Sequence, residues 1–242
     1  QLMIRQRQAV QVGTLPITPF KSMREAVETV CSESGVLPGF AVAVNAEKVI
    51  SARDDVAIRE NLLLGTILYA DGISVVKTIK KKGVDNVRIP GCELWLELMK
   101  KAAQTGKRVY LLGASEETNK LTASKLSDSF GLNNLTRRNG YFDDEQDVIA
   151  DILRLKPDIV TVALGSPKQE LLITKLREVH PDAFYMGVGG SYDVFVGKVK
   201  RAPKLFCDLH LEWFYRLISQ PKRIFRQMNL FRYFYLHLTG KL

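Results

Sequence analysis

Apolar and polar positions in this chain fall into blocks that switch between two periods. Ile159-Val160-Thr161-Val162-Ala163-Leu164 is an apolar, β-branched run that stops at Gly165, the mark of a strand buried on both faces. The residues after it, through Ser166, Pro167 and Glu170 to His180, are amphipathic, with Ser166 suited to cap a helix and Pro167 to open it. The same rhythm runs through the earlier chain. Ser22-Met23-Arg24-Glu25 is a capping box that predicts a helix to about Ser34. Short apolar runs at Phe40–Val44 and Thr66–Ala70 predict strands, the second followed by a helix through Val76 to Lys81. Val87-Arg88-Ile89 leads through Pro90-Gly91 into a helix across Leu94 to Ala103.

Val109–Leu112 predicts a further strand, followed by a helix from Glu116 to about Phe130. A strand near Leu135, a turn at Gly140-Tyr141-Phe142 and a helix over Val148 to Leu155 follow. Ala183–Val188 closes the series before Gly189-Gly190. Strands alternating with helices imply an α/β fold: a Rossmann-like, mostly parallel sheet with helices on both faces. The expected division is a catalytic-type domain over residues 1–196 and a basic helical appendage over 197–242. In that appendage Pro203–Ile218 and Lys222–Leu238 read as two helices broken at Gln220-Pro221.

Composition changes the picture mainly through charge. The chain has 242 residues and a net charge of +9. Residues 197–242 hold ten Lys/Arg against Asp208 and Glu212, so +8 of that charge sits in the appendage. Such a tail is suited to an anionic partner: phosphates, acidic lipid or a nucleic acid. Within it Ile224, Met228, Phe231, Tyr235 and Leu238 form an apolar stripe, with Phe225 and Phe234 outside it among arginines. A stripe of this kind docks on a core or seeks a second subunit. Aromatics interleaved with arginines favour a helix lying in a membrane interface, and no RNA-binding signature accompanies them.

Three widely spaced cysteines, Cys31, Cys92 and Cys207, imply buried, reduced thiols in a cytosolic protein. The opening residues show no cationic-then-apolar pattern, so no secretory signal is expected from them, and no uncharged apolar run approaches the ~18 residues of a membrane span.

The candidate chemistry lies at predicted strand ends: Asn45, Asp71-Gly72, Gly113-Ala114-Ser115, Gly165-Ser166 and Gly187 to Gly190. In open α/β sheets ligands bind at the carboxyl ends of the strands, so these groups are expected to share one rim. Glycine turns into helix N-termini present N–H groups to a phosphate or carboxylate, and Lys168 and Gln169 add side-chain donors. The turn at Gly165 also reads as an ordinary capped connection with no ligand. Neither a dinucleotide fingerprint nor a P-loop is present, which disfavours a dehydrogenase or a nucleoside triphosphatase. Asp71, directly after a strand, is placed to act as a general base or simply to turn the chain. Asn45 can bond a sugar hydroxyl or cap the following helix. The histidines, His180, His210 and His237, have no metal-ligand spacing, and no metal or cofactor is expected.

Several stretches carry a resemblance: Val44-Asn45-Ala46-Glu47-Lys48, Tyr69-Ala70-Asp71-Gly72-Ile73-Ser74-Val75-Val76 and Gly165-Ser166-Pro167-Lys168-Gln169-Glu170. Further on come Tyr185-Met186-Gly187-Val188-Gly189-Gly190-Ser191-Tyr192-Asp193-Val194-Phe195, Val199-Lys200-Arg201-Ala202-Pro203 and Leu211-Glu212-Trp213-Phe214-Tyr215-Arg216-Leu217-Ile218-Ser219-Gln220-Pro221. In this order, from about Phe20 onward, the chain resembles the WecG/TagA/CpsF family of bacterial glycosyltransferases, and within it the enterobacterial common antigen branch.

The resemblance implies an inverting, metal-independent hexosyltransferase. Its donor would be UDP-N-acetyl-D-mannosaminuronic acid and its acceptor undecaprenyl-diphosphate-linked N-acetylglucosamine, at the cytoplasmic face of the inner membrane. It places the family's aspartate on Asp71, its pocket asparagine on Asn45, its glutamine on Gln169 and an arginine on Arg88. Appendage arginines that close over the diphosphate fall on Arg216, Arg223 and Arg226. Tyr141, Gly113, Gly165, Ser166, Lys168, Gly189 and Gly190 complete the expected substrate contacts. The family's small hydroxyl residue two before the asparagine is Ala43 here, so that contact does not carry over. The alternatives are a relative using UDP-N-acetylmannosamine or another UDP-hexose, and a nucleotide-binding peripheral membrane module without catalysis. No nucleic-acid partner is expected, and homo-oligomerisation stays open.

Overall fold

The computed structural model describes residues 8–199, 202–211, 214–215 and 224–242, with the backbone alone for 224–227. Six strands form one parallel sheet in the order β6-β5-β10-β9-β7-β8. They are β5 (Gly39–Val44), β6 (Ile67–Ala70), β7 (Val109–Gly113), β8 (Leu135–Arg138), β9 (Ile159–Ala163) and β10 (Phe184–Gly187). Every residue of β6, β7 and β9 is buried, which is why these strands read as continuous apolar runs rather than alternating ones. The α/β expectation is met.

Helices cover both faces. On one side lie α2 (Ala46–Asp54), α4 (Ile73–Lys81), α7 (Glu145–Leu155) and α8 (Lys168–Val179), packed on Val42, Tyr110, Val160 and Tyr185. On the other lie α1 (Met23–Val30), α5 (Gly91–Gln104), α6 (Glu116–Phe130) and α9 (Ser191–Phe195), packed around Tyr69, Leu111 and Phe184. The helix α3 (Val56–Leu62) joins α2 to β6. The hairpin of β1 (Val10–Val12) and β2 (Leu15–Ile17) stands by the edge of β6, where Thr18 donates to the Leu68 carbonyl at 2.7 Å. That contact shields an edge that would otherwise present unpaired groups.

Several local expectations are corrected. The capping box works as expected, with the Glu25 N–H bonded to Ser22 Oγ at 3.0 Å. The helix nevertheless ends at Val30 rather than Ser34, because Cys31–Ser32 (β3) and Gly35–Val36 (β4) pair as a small hairpin. Helix α8 starts at Lys168, one residue later than expected. Pro167 occupies the cap, and the Ser166 hydroxyl bonds Glu170 Oε1 instead of a backbone N–H.

Pro203–Ile218 is not one helix. α10 (Lys204–Asp208) stops at Leu209 and His210, the latter at φ 57°, a conformation that cannot continue a helix. Among the cysteines only Cys31 is buried; Cys92 and Cys207 are partly so.

The final helix, α11 (Ile224–Leu238), docks on α2 and α4. The buried Tyr233 hydroxyl meets Thr78 Oγ1 at 2.5 Å, and Lys81 Nζ donates to the His237 carbonyl at 2.6 Å. The docked face is Tyr233 and Leu236 with Leu230 at its margin. Met228, Phe231, Tyr235 and Leu238 of the sequence stripe face outward, with Phe231 77% exposed. No helix among the described residues is long and apolar enough to cross a membrane.

Candidate active site

Because all six strands run parallel, their carboxyl ends lie along one edge of the sheet. β7 continues to β8 through α6 on one face, and β9 to β10 through α8 on the other. Connections leaving in opposite directions make the crevice above β7 and β9 a topological switch point, where α/β proteins bind ligands. Gly113 stands there at φ 112°, and a Cβ on it would lie 2.3 Å from the Ala163 carbonyl oxygen. The glycine is therefore accounted for by close strand packing. Gly165 (φ 75°), Gly189 (φ 51°) and Gly190 differ: a Cβ on any of them would meet nothing within 4 Å. Open space borders these three glycines, which lie on two turns, one after β9 and one after β10.

Asp71 follows β6, three strands from β9, a distance of about 14 Å at the usual strand spacing. Its carboxylate faces the start of α5: Oδ1 accepts from the Gly91 N–H at 3.2 Å. Arg88 wraps the same residue, with Nε donating to the Asp71 carbonyl at 2.6 Å and a terminal nitrogen 4.0 Å from Oδ1. A helix N-terminus and a guanidinium both favour the ionised carboxylate. Asp71 thus anchors α5 as well as standing at the rim.

Asn45 caps α2, accepting from the Lys48 N–H at 2.9 Å. A Cβ on Gly72 would stand 3.2 Å from Asn45 Cα, so the loops carrying Asn45 and Asp71 touch. Gln169 is only 6% exposed. It lies against Gly187, and its Oε1 accepts from the Gly189 N–H at 3.1 Å, which fixes the loop after β10. Ser166 and Lys168 are exposed at the head of α8.

The rim therefore brings Asn45, Asp71 and Arg88 together at one end and Gly165, Ser166, Lys168, Gln169, Gly189 and Gly190 at the middle. Gly113 stands beyond them. Tyr141, 82% exposed, follows β8 at the far end. Arg216 and Arg223 lie outside the described residues, as does the side chain of Arg226.

Two charged groups on this rim escape the sequence patterning. Lys48 is partly buried, its Nζ bonded to the Ala43 carbonyl at 2.7 Å. Glu170 is 1% exposed at the first turn of α8. The available signal for Lys48 is its position three residues after Asn45, which puts both on one side of α2. Glu170 carries no such signal, because its burial comes from packing on other elements.

A separate cleft of about 490 Å³, lined by Tyr110, Arg138, Asp151 and Arg154, opens against β8. It lies at the opposite edge of the sheet from Asp71. Arg138 and Arg154 both bond Asp151 there, at 2.7 and 3.2 Å.

Set beside known proteins, residues 10–242 match the Glycosyl transferase WecG/TagA/CpsF family.

Proposed function

The chain belongs to the WecG/TagA/CpsF family of glycosyl transferases, and on that premise we propose an inverting transfer of N-acetyl-D-mannosaminuronic acid from UDP to a lipid-linked acceptor. The acceptor is undecaprenyl-diphosphate-N-acetylglucosamine, an intermediate of enterobacterial common antigen. Family membership establishes the coarser activity, hexosyl transfer from a sugar nucleotide. The finer reading draws its main support from one arrangement: an ionisable carboxylate at the end of β6, beside Arg88, on the same rim as two open glycine turns.

In the step we infer, the acceptor's C4 oxygen attacks the donor's anomeric carbon from the face opposite UDP. Its proton passes to the Asp71 carboxylate. The bond from that carbon to the β-phosphate oxygen breaks, and its electron pair leaves with UDP. Backbone N–H groups at the Gly165 and Gly189 turns, Lys168, and arginines of the appendage stabilise the charge gathering on the leaving diphosphate, without an obligatory metal. Arg88, Lys168 or an appendage arginine balances the donor's carboxylate. Tyr141 and Gly113 border the nucleotide end, and Asn45 the sugar.

Residues 197–242 act as the appendage that closes over the diphosphate and lies on the inner-membrane surface. The outward Met228, Phe231, Phe234, Tyr235 and Leu238 face of α11 supports this, as does the +8 charge of that segment. Release of UDP by the purified chain tests the proposal, with UDP-N-acetylmannosaminuronate, UDP-N-acetylmannosamine or UDP-N-acetylglucosamine as donor. Release that needs polyprenyl-diphosphate-N-acetylglucosamine and is fastest with the acidic donor is expected. Faster release from UDP-N-acetylmannosamine assigns the neutral sugar instead. Nucleotide binding with no release from any donor rejects transfer.

A further inference from the structure

α11 lies along α4 and runs in the same direction. The Tyr233 hydroxyl meets Thr78 and donates to the Ser74 carbonyl at 3.3 Å. Further along both helices, Lys81 Nζ donates to the carbonyls of His237 and Leu238, at 2.6 and 3.4 Å. Lys77 stands one helical turn before Lys81 on the same side of α4, so these two lysines follow the flank of α11. Lys77 and Lys80 are exposed and make no hydrogen bond or ion pair among the described residues. No Asp or Glu occurs between Gly72 and Val84. The dipole of α4 favours Lys80 and Lys81 in its last turn. Lys77 gains nothing from it and repels Lys81, so local helix stability does not account for its charge.

The other flank of α11 differs. There Arg232 pairs with Asp54, and Asp55 follows, also exposed. Between the two flanks Met228, Phe231, Phe234, Tyr235 and Leu238 are exposed.

We propose that the outward face of α11 and the lysine flank of α4 form one docking surface for anionic phospholipid, so that the α/β body meets the membrane together with the appendage. The inference rests on the lipid reading of α11. Apolar side chains bordered by cations suit an interface, where the rings and aliphatic chains sink and the ammonium groups stay level with the phosphates. Acids on the α2 flank and none on the α4 flank turn the molecule toward α4. That helix begins at Gly72, directly after Asp71. A protein lying on this flank therefore keeps the β6 end of the rim next to the headgroups, with β8 at the far edge of the sheet. A lipid-linked diphosphate then meets Asp71 at headgroup depth.

Sedimentation of the full chain with phosphatidylcholine vesicles, with and without phosphatidylglycerol, tests this. Lys77→Gln with Lys80→Gln removes two charges at exposed sites, and glutamine keeps the helix propensity of lysine. The pair should weaken binding to the anionic vesicles about tenfold or more and leave binding to the neutral ones unchanged. UDP release with a water-soluble, short-chain acceptor should stay at the wild-type rate. Lys120→Gln, exposed on α6 at the other face of the sheet, should change nothing. Binding of the lysine pair to anionic vesicles as tight as wild type overturns the inference. Phe231→Ser with Tyr235→Ser, run alongside, shows how far the failure reaches. If that variant has lost binding, only the α4 flank is removed from the membrane; if it too binds normally, the lipid reading of α11 falls as well. A wild-type chain that ignores vesicles but self-associates, with monomers restored by the lysine pair, also overturns the inference and makes this flank an interface between copies.

Discussion

Gln169 occupies the space that any side chain on Gly187 would need: a Cβ there would lie 2.6 Å from Nε2 and 2.8 Å from Cδ. The amide has little freedom to move aside, since it is buried and holds the Gly189 N–H. The absence of a side chain at the end of β10 thus lets α8 and the Gly189 turn meet at the rim. Gly187→Ala should cost about 1–3 kcal/mol in urea unfolding, the usual range for overpacking, and weaken UDP binding as the turn shifts. Wild-type stability and affinity would mean that the amide gives way freely.

The two faces of α11 should separate by experiment. Phe231 and Tyr235 are exposed while Tyr233 is buried. Phe231→Ser with Tyr235→Ser should lower sedimentation with phosphatidylglycerol-containing vesicles and change stability by no more than about 0.5 kcal/mol. Tyr233→Ala empties a packed site and should cost about 3 kcal/mol. Equal vesicle binding by the double variant and the wild type would remove this face from membrane contact.

Docking of α11 should also depend on pH. His237 Nδ1 lies 3.0 Å from Thr78 Oγ1. Burial, then Lys81 and Lys77, hold its pKa below the ordinary 6.5. Tyr233, which shares Thr78, is pushed up to about 12 by burial and stays neutral. A lowered histidine pKa means that the folded protein favours the neutral ring. Its contribution is complete above 6.5 and is lost as pH falls through the lower folded value. Thermal melts should therefore drop in that acidic window, and His237→Gln should flatten the drop. A melt equally steep in both proteins would place the dependence elsewhere.

Much of the fold is legible because burial leaves a plain mark on composition. β9 and β7 read as strands since all their residues are inside. α6 is bounded by its own signals, Ser115 at the cap and Gly131 at φ 68° beyond Phe130. The hairpin at Cys31–Ser32 and Gly35–Val36 is hidden because pairing and packing override the helical pattern leading into it. The orientation of α11 is hidden for another reason: Leu230, Tyr233 and Leu236 form a second apolar line beside the stripe, and only the surface on α2 and α4 selects it. At the site, the rim position of Asn45, Asp71 and the glycines follows from strand order alone. The partners of Asp71, and the burial of Lys48 and Glu170, come from segments far apart in sequence. No local pattern carries them.

Turnover by Asp71→Asn tests the central claim most directly. The asparagine can still accept from the Gly91 N–H but cannot take a proton from an attacking hydroxyl. General-base help contributes ~10²–10⁴-fold, so single-turnover transfer to the lipid-linked acceptor should fall at least ~100-fold while UDP-sugar affinity stays near the wild-type value. Transfer at close to the wild-type rate would contradict the account.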